Sequence, residues 1–215
     1  MVIESPRVLS FIVTSTLGEA RHTVESLKRQ KLHTEIYTVI GLREGSRFAG
    51  EIVTKTINAY LKYIDLSRYD FLLKSDNDVL YSSNFLKANC RENYDLMGVG
   101  AGLLIRVEPF LKYCGGRFVE NDLYDTILFH VFNKAGLKVL DWKYAYYSPI
   151  VFRKMKYGAR RSFNTGKLVY DFNIYSFKRY AINRFINGFR ESPFRWFSTL
   201  GFILGFIFEK LTTRR

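Results

Sequence analysis

The chain has 215 residues, 47% hydrophobic and 17% aromatic, enough to bury one sizeable core and too apolar for general disorder. Its two cysteines, Cys90 and Cys114, stand in no metal-ligand spacing, which argues against a disulfide framework and fits a reducing compartment. The net charge of +13 is uneven: residues 153–215 hold 14 Lys+Arg against 3 Asp+Glu, leaving only +2 for the first 152, so an anionic partner belongs to the tail.

The opening "MVIESPRVLSFIVTST" has Glu4 where a secretory signal would be basic, and its short β-branched run predicts a first strand. "GEARHTVESLKRQ" follows with Ala20, Val24 and Leu27 at helical spacing. "TEIYTVIG" predicts a second strand. "GEIVTKTINAYLKYI" predicts a second helix, and "YDFLLK" a third strand. Strands alternating with helices imply right-handed crossovers and a mainly parallel sheet. "YDLMGVG", "GLLIRVEPF" and "LKVLDW" extend the sheet, with a helix over "LYDTILFHVFNKAG". The fold class is therefore α/β, with residues 1–152 as the sheet-bearing domain and 153–215 as a basic, aromatic extension.

Ligands of open α/β sheets gather beyond the carboxyl ends of the strands. Ser15, Thr16, Glu44, Asp76 and Asp78 are expected there. Asp76 and Asp78 are separated only by Asn77 at the end of an apolar strand. Two carboxylates in that spacing suit Mg²⁺ or Mn²⁺, which take carboxylate and phosphate oxygens. The alternative is an Asx-type turn leading into a helix capped by Ser82 or Ser83. A second acidic group, Glu120, Asp122 and Asp125, precedes or opens the next helix. Acids also favour that position through capping and the helix dipole, which accounts best for Glu120 and Asp122. Gly115-Gly116 just before it permits close approach of backbone to a ligand.

Taken together, the strand-borne "SDND", then Gly115, Gly116, Phe118 and Glu120, then "DTILFHVFNKAGLKV", resemble a family 2 glycosyltransferase of the GT-A fold over about residues 7–150. The resemblance implies a nucleotide-sugar donor and Mn²⁺ or Mg²⁺ held by Asp78. It places Asp76 at the metal or the ribose, the Thr14–Thr16 loop against the nucleotide, and Asp125 as general base with Asp122 as its rival. Tyr124 and Ile127 depart from it, because acids are usual there. Arg160, Arg161 or Lys167 would assist at the diphosphate, and Arg106 is either a ligand contact or a solvated strand end. The single base implies inversion of configuration.

In the tail, Trp196 to Phe208 carries no charge, too short a run to span a bilayer but suited to an interfacial helix over 194–211. The expectation is an enzyme on the cytoplasmic face of a membrane, peripheral or monotopic, with a lipid-linked or glycan acceptor. The competing readings are an inactive membrane-associated module with the same fold and, ranked last, a nucleic-acid binder, for which no motif appears. Nucleic acid is not an expected partner.

Overall fold

The computed structural model describes residues 5–42, 49–98, 100, 102–142, 145, 149–151 and six helical positions between 200 and 211. By its packing the chain divides into Met1–Lys154 and Met155–Arg215. The fold of the first unit is a six-stranded sheet flanked by helices.

β1 (Val8–Thr14) lies between β2 (Thr34–Ile40) and β3 (Phe71–Asp76), parallel to both. All seven of its residues are buried, which explains its near-continuous apolar run: helices cover both faces. β2, at the sheet edge, is half exposed. Beyond β3 the sheet continues with β6 (Gly102–Arg106), antiparallel, then β5 (Leu96–Met97) and β7 (Val139–Leu140). Three of the five strand pairings are parallel. β4 (Val79–Leu80) pairs with β8 (Ile150–Val151) in a separate two-stranded sheet.

The two-residue period of the strands sorts their side chains between two cores. Leu9, Phe11 and Val13 of β1 and Leu72 of β3 face α2 (Ala49–Leu61), α4 (Val107–Cys114) and α5 (Tyr124–Lys134), meeting Ile57, Phe110 and Phe132. Val8 and Ile12 with Phe71 and Leu73 face α1 (Arg21–Lys28) and α3 (Phe85–Asn89), meeting Leu27, Phe85 and Trp142. Full burial of each such side chain stabilises the fold by ~1.5–3 kcal/mol.

Three expectations change. α3 is preceded by Asn84 and carries no side-chain cap, so neither Ser82 nor Ser83 performs that role. Gly115 and Gly116 adopt φ of 61° and 70° and close α4, their amides donating to Leu111 O and Phe110 O. Gly116 packs near Leu66, just before β3 begins, so the pair is a helix C-cap at the opposite end of the sheet from Asp76. Arg106 lies at that far end too, because antiparallel β6 sets it beside Phe71, where it donates to Tyr94 O.

The segment between α4 and α5 is held by one buried amide. Asn58 donates to Phe118 O at 2.8 Å and accepts from Phe118 N at 2.9 Å, standing in for a neighbouring strand. Phe118 is thereby fixed between Phe110 and Tyr124, with ring centres 5.0 and 5.9 Å away. Asn58→Ala leaves both Phe118 backbone groups unpaired and is expected to cost about 2–4 kcal/mol, read as a lowered midpoint in urea.

Candidate active site

Leu72, Lys74 and Asp76 alternate along β3 on the face that α5 covers; Leu73 and Ser75 point to the other. Lys74 is 2% exposed, and its ammonium forms an ion pair with the Asp76 carboxylate and lies 5.2 Å from the centre of the Tyr124 ring. Burial works against the charge. Asp76 and Tyr124 more than offset it, so the lysine is held protonated above its ordinary range. On the opposite face the buried Tyr81 hydroxyl bonds to Ser75 Oγ at 2.8 Å, fixing the last turn of the strand.

Asn77, between the two aspartates, does not simply make the bend. Its amide donates to Thr14 Oγ1 at 3.1 Å and to Glu19 at 3.3 Å. Thr14 Oγ1 in turn donates to Thr16 O at 2.7 Å, and Ser15 Oγ donates to Glu19. The loop after β1 and the turn after β3 are thus one hydrogen-bonded surface at the carboxyl ends of two parallel strands. Ser15 and Thr16 are exposed on it; Asp78 is 8% exposed within the turn, and the Asp76 side chain is 34% exposed.

Asp125 enters the same region from the first turn of α5. Its carboxylate accepts from Gly100 N at 2.9 Å and Thr126 N at 2.7 Å. Burial raises its pKa above the usual aspartate range, opposed by Lys74 and the two amides and reinforced by the negative charge of Asp76. Asp76 and Asp125 therefore share one electrostatic environment, with Lys74 common to both. Asp122 is turned away: it accepts from Gly50 N at 3.0 Å, in the first turn of α2, where unpaired amides need an acceptor. The fit is close, since a Cβ on Gly50 would stand 2.7 Å from the Asp122 backbone. Glu120 accepts from Asn58 Nδ2 at 3.3 Å.

Hydrogen bonds join the Thr14–Thr16 loop to the turn that holds Asp76 and Asp78, and Asp125 lies within electrostatic reach of Asp76. Glu44, Arg160, Arg161 and Lys167 lie outside the described residues. Among those described, no three His, Cys, Asp or Glu side chains converge to hold a metal by themselves. The turn carries two carboxylates, those of Asp76 and Asp78, and carboxylates are the ligand type a hard cation takes together with phosphate and water oxygens. Sequence reasoning missed Lys74 and Gly100, and noted Tyr124 only as a departure from the family pattern. The signal for Lys74 was available: a lysine at the fourth position of a strand covered on both faces has no route to solvent.

The sequence matches no protein-family model and no curated protein. Among solved structures, the chain is similar to a Drosophila beta-1,4-galactosyltransferase 7 mutant complexed with manganese, UDP-Gal and xylobiose. That match has a TM-score of 0.51 and 17% identity, over 69% of this chain and 71% of that one. It is also similar to S. aureus TarS, with a TM-score of 0.51 and 12% identity, over 80% of this chain and 66% of that one. At these identities the likeness shows the fold: a mixed α/β, mainly parallel sheet of the GT-A type.

The contacts of Asp122 give a direct check of its role. Asp122→Ala is expected to lower stability by about 0.5–2 kcal/mol, seen in thermal melting, whereas Asp122→Asn keeps an acceptor and most of that stability.

Proposed function

We propose that the protein is a metal-dependent, inverting glycosyltransferase that moves a sugar from a nucleotide diphosphate sugar to an acceptor hydroxyl. The observation that carries this reading is the meeting of the β1 loop, the Asp76-Asn77-Asp78 turn and Asp125 at the carboxyl ends of the parallel strands. The fold shared with a galactosyltransferase complexed with manganese and UDP-Gal supports it.

In this reading Thr14–Thr16 receives the nucleotide. Asp78, with Asp76, holds Mn²⁺ or Mg²⁺, which when bound offsets the charge gathering on the leaving diphosphate. Asp125 accepts the proton of the acceptor hydroxyl as that oxygen bonds to the anomeric carbon and the bond to the diphosphate oxygen breaks, the electron pair leaving with the nucleotide. One displacement on one face inverts the centre, and it needs a single base. Asp125 is better suited than Asp122, whose carboxylate is committed to the start of α2.

The acceptor we propose is lipid-linked or a glycan at a membrane surface. The charge of the last 63 residues supports this, as do Leu200, Leu204, Ile207 and Leu211: helical, exposed, and spaced to share one face. No helix among the described residues is long and apolar enough to cross a membrane. Trp196 lies outside them.

A second reading, an inactive module with the same fold, has one specific support. Tyr124 and Ile127, where the resemblance expects acids, are each 6% exposed and belong to the core.

Hydrolysis of a panel of nucleotide sugars with Mn²⁺ separates the two. Metal-dependent turnover lost in Asp78→Ala is expected; no turnover and no nucleotide binding favours the module. Asp125→Asn is expected to lower kcat about 100-fold or more without loss of fold. With Asp125 raised by burial, the acid limb of kcat is expected above the ordinary aspartate value of about 3.9: activity is lost as pH falls through it, because a protonated carboxyl cannot accept the proton. Full-length protein is expected to co-sediment with vesicles containing anionic lipid and not with neutral ones, the difference shrinking with salt.

A further inference from the structure

Lys74 has no part in the reaction as just described, yet its position is the costliest in the site. It sits inside a central strand between Leu73 and Ser75, with its side chain 2% exposed. No substrate can reach its ammonium. A core role does not call for it, since Leu or Met fills comparable volume and carries no charge to desolvate. What distinguishes a lysine there is where its charge is spent: on the carboxylate of Asp76 at the end of β3, and on the face of the Tyr124 ring at the start of α5. Asp125 is the next residue, tied on its other side to Gly100.

The inference rests on the glycosyl-transfer reading of this site. We propose that Lys74 is a positioning residue: its buried ammonium ties the carboxylate ending β3 to the first turn of α5, and so sets the base against the aspartate turn that serves the donor. The strand and the helix come from distant parts of the chain, and Lys74 is the charge that their two active carboxylates have in common. Asn77 secures the other half of the site through the β1 loop, by bonds that do not involve Lys74. The two halves are therefore separable by mutation.

Around Asp125 the charged and titratable groups are Lys74 and Asp76 from β3 and Tyr124 on its own helix, with the Gly100 and Thr126 amides as donors. Lys74→Met keeps the length and apolar stem and deletes the charge. In the metal-free protein, the Asp125 carboxyl, followed by ¹³C NMR, is expected to titrate about one pH unit or more higher in Lys74→Met than in wild type. In turnover with Mn²⁺, Lys74→Met is expected to lower kcat about 10-fold or more, a larger factor than any rise in donor KM through Asp76. Asn77→Ala is expected to raise the donor KM instead. Should Lys74→Met fail to fold, Tyr124→Leu leaves the ion pair in place, removes its hold on α5, and carries the same kcat-selective expectation.

A folded Lys74→Met protein with an unshifted Asp125 titration overturns the inference, even where turnover exists. So does an equal loss in kcat and KM matched by Asn77→Ala. A wild type inert toward every nucleotide sugar, but with the titration shift present, overturns the transfer reading and upholds the link between Lys74 and Asp125.

Discussion

The site is organised around a buried ammonium, that of Lys74. Burying a lone charge of this kind carries a penalty of several kcal/mol, and losing its partner leaves that penalty uncompensated. Lys74 is protonated only because Asp76 and the Tyr124 ring close around it. That requirement pins the end of β3 to the start of α5, and it fixes which way Asp76 faces. An aspartate one residue from a turn would otherwise sample several rotamers.

Hydrogen bonding completes what the charge begins. Asn77 answers the question of why two like charges flank a single residue: its amide bonds the β1 loop, so the turn has a structural function as well as an electrostatic one. The same three residues make the turn and hold the neighbouring loop. The second acidic group divides more cleanly. Asp122 ties the start of α2 and Glu120 meets Asn58, while Asp125 accepts amides from two directions beside Lys74.

The parts of the fold legible in the sequence are those with sustained periodicity. Val8–Thr14 and Phe71–Asp76 read as buried strands because helices cover both faces, and Ala49–Leu61 reads as a helix because one face is apolar. Strand direction is not written in such patterns. Gly102–Arg106 runs antiparallel, and that reversal carries Arg106 to the end of the sheet opposite Asp76. The expected strand "GLLIRVEPF" turns helical at Val107, where Glu108 and Pro109 suit a first turn. Gly115-Gly116 matched a motif by order but serves α4, since a left-handed C-cap demands glycine as strongly as a ligand loop does. Lys74 was missed, and Tyr124 was noted only as a departure from the family pattern, because a contact between a strand lysine and a helix tyrosine leaves no periodic trace.

The two sulfhydryls have a practical consequence. Cys90 is buried with its pKa pushed up to about 12, and Cys114 is half-buried with its own at about 11; both are reduced and unbridged. Thiolate is the reactive form, so at neutral pH the native protein is expected to react slowly with maleimides and iodoacetamides. A cysteine engineered at exposed Ser15 or Thr16 would then accept a fluorophore selectively on the loop after β1, without first replacing Cys90 and Cys114.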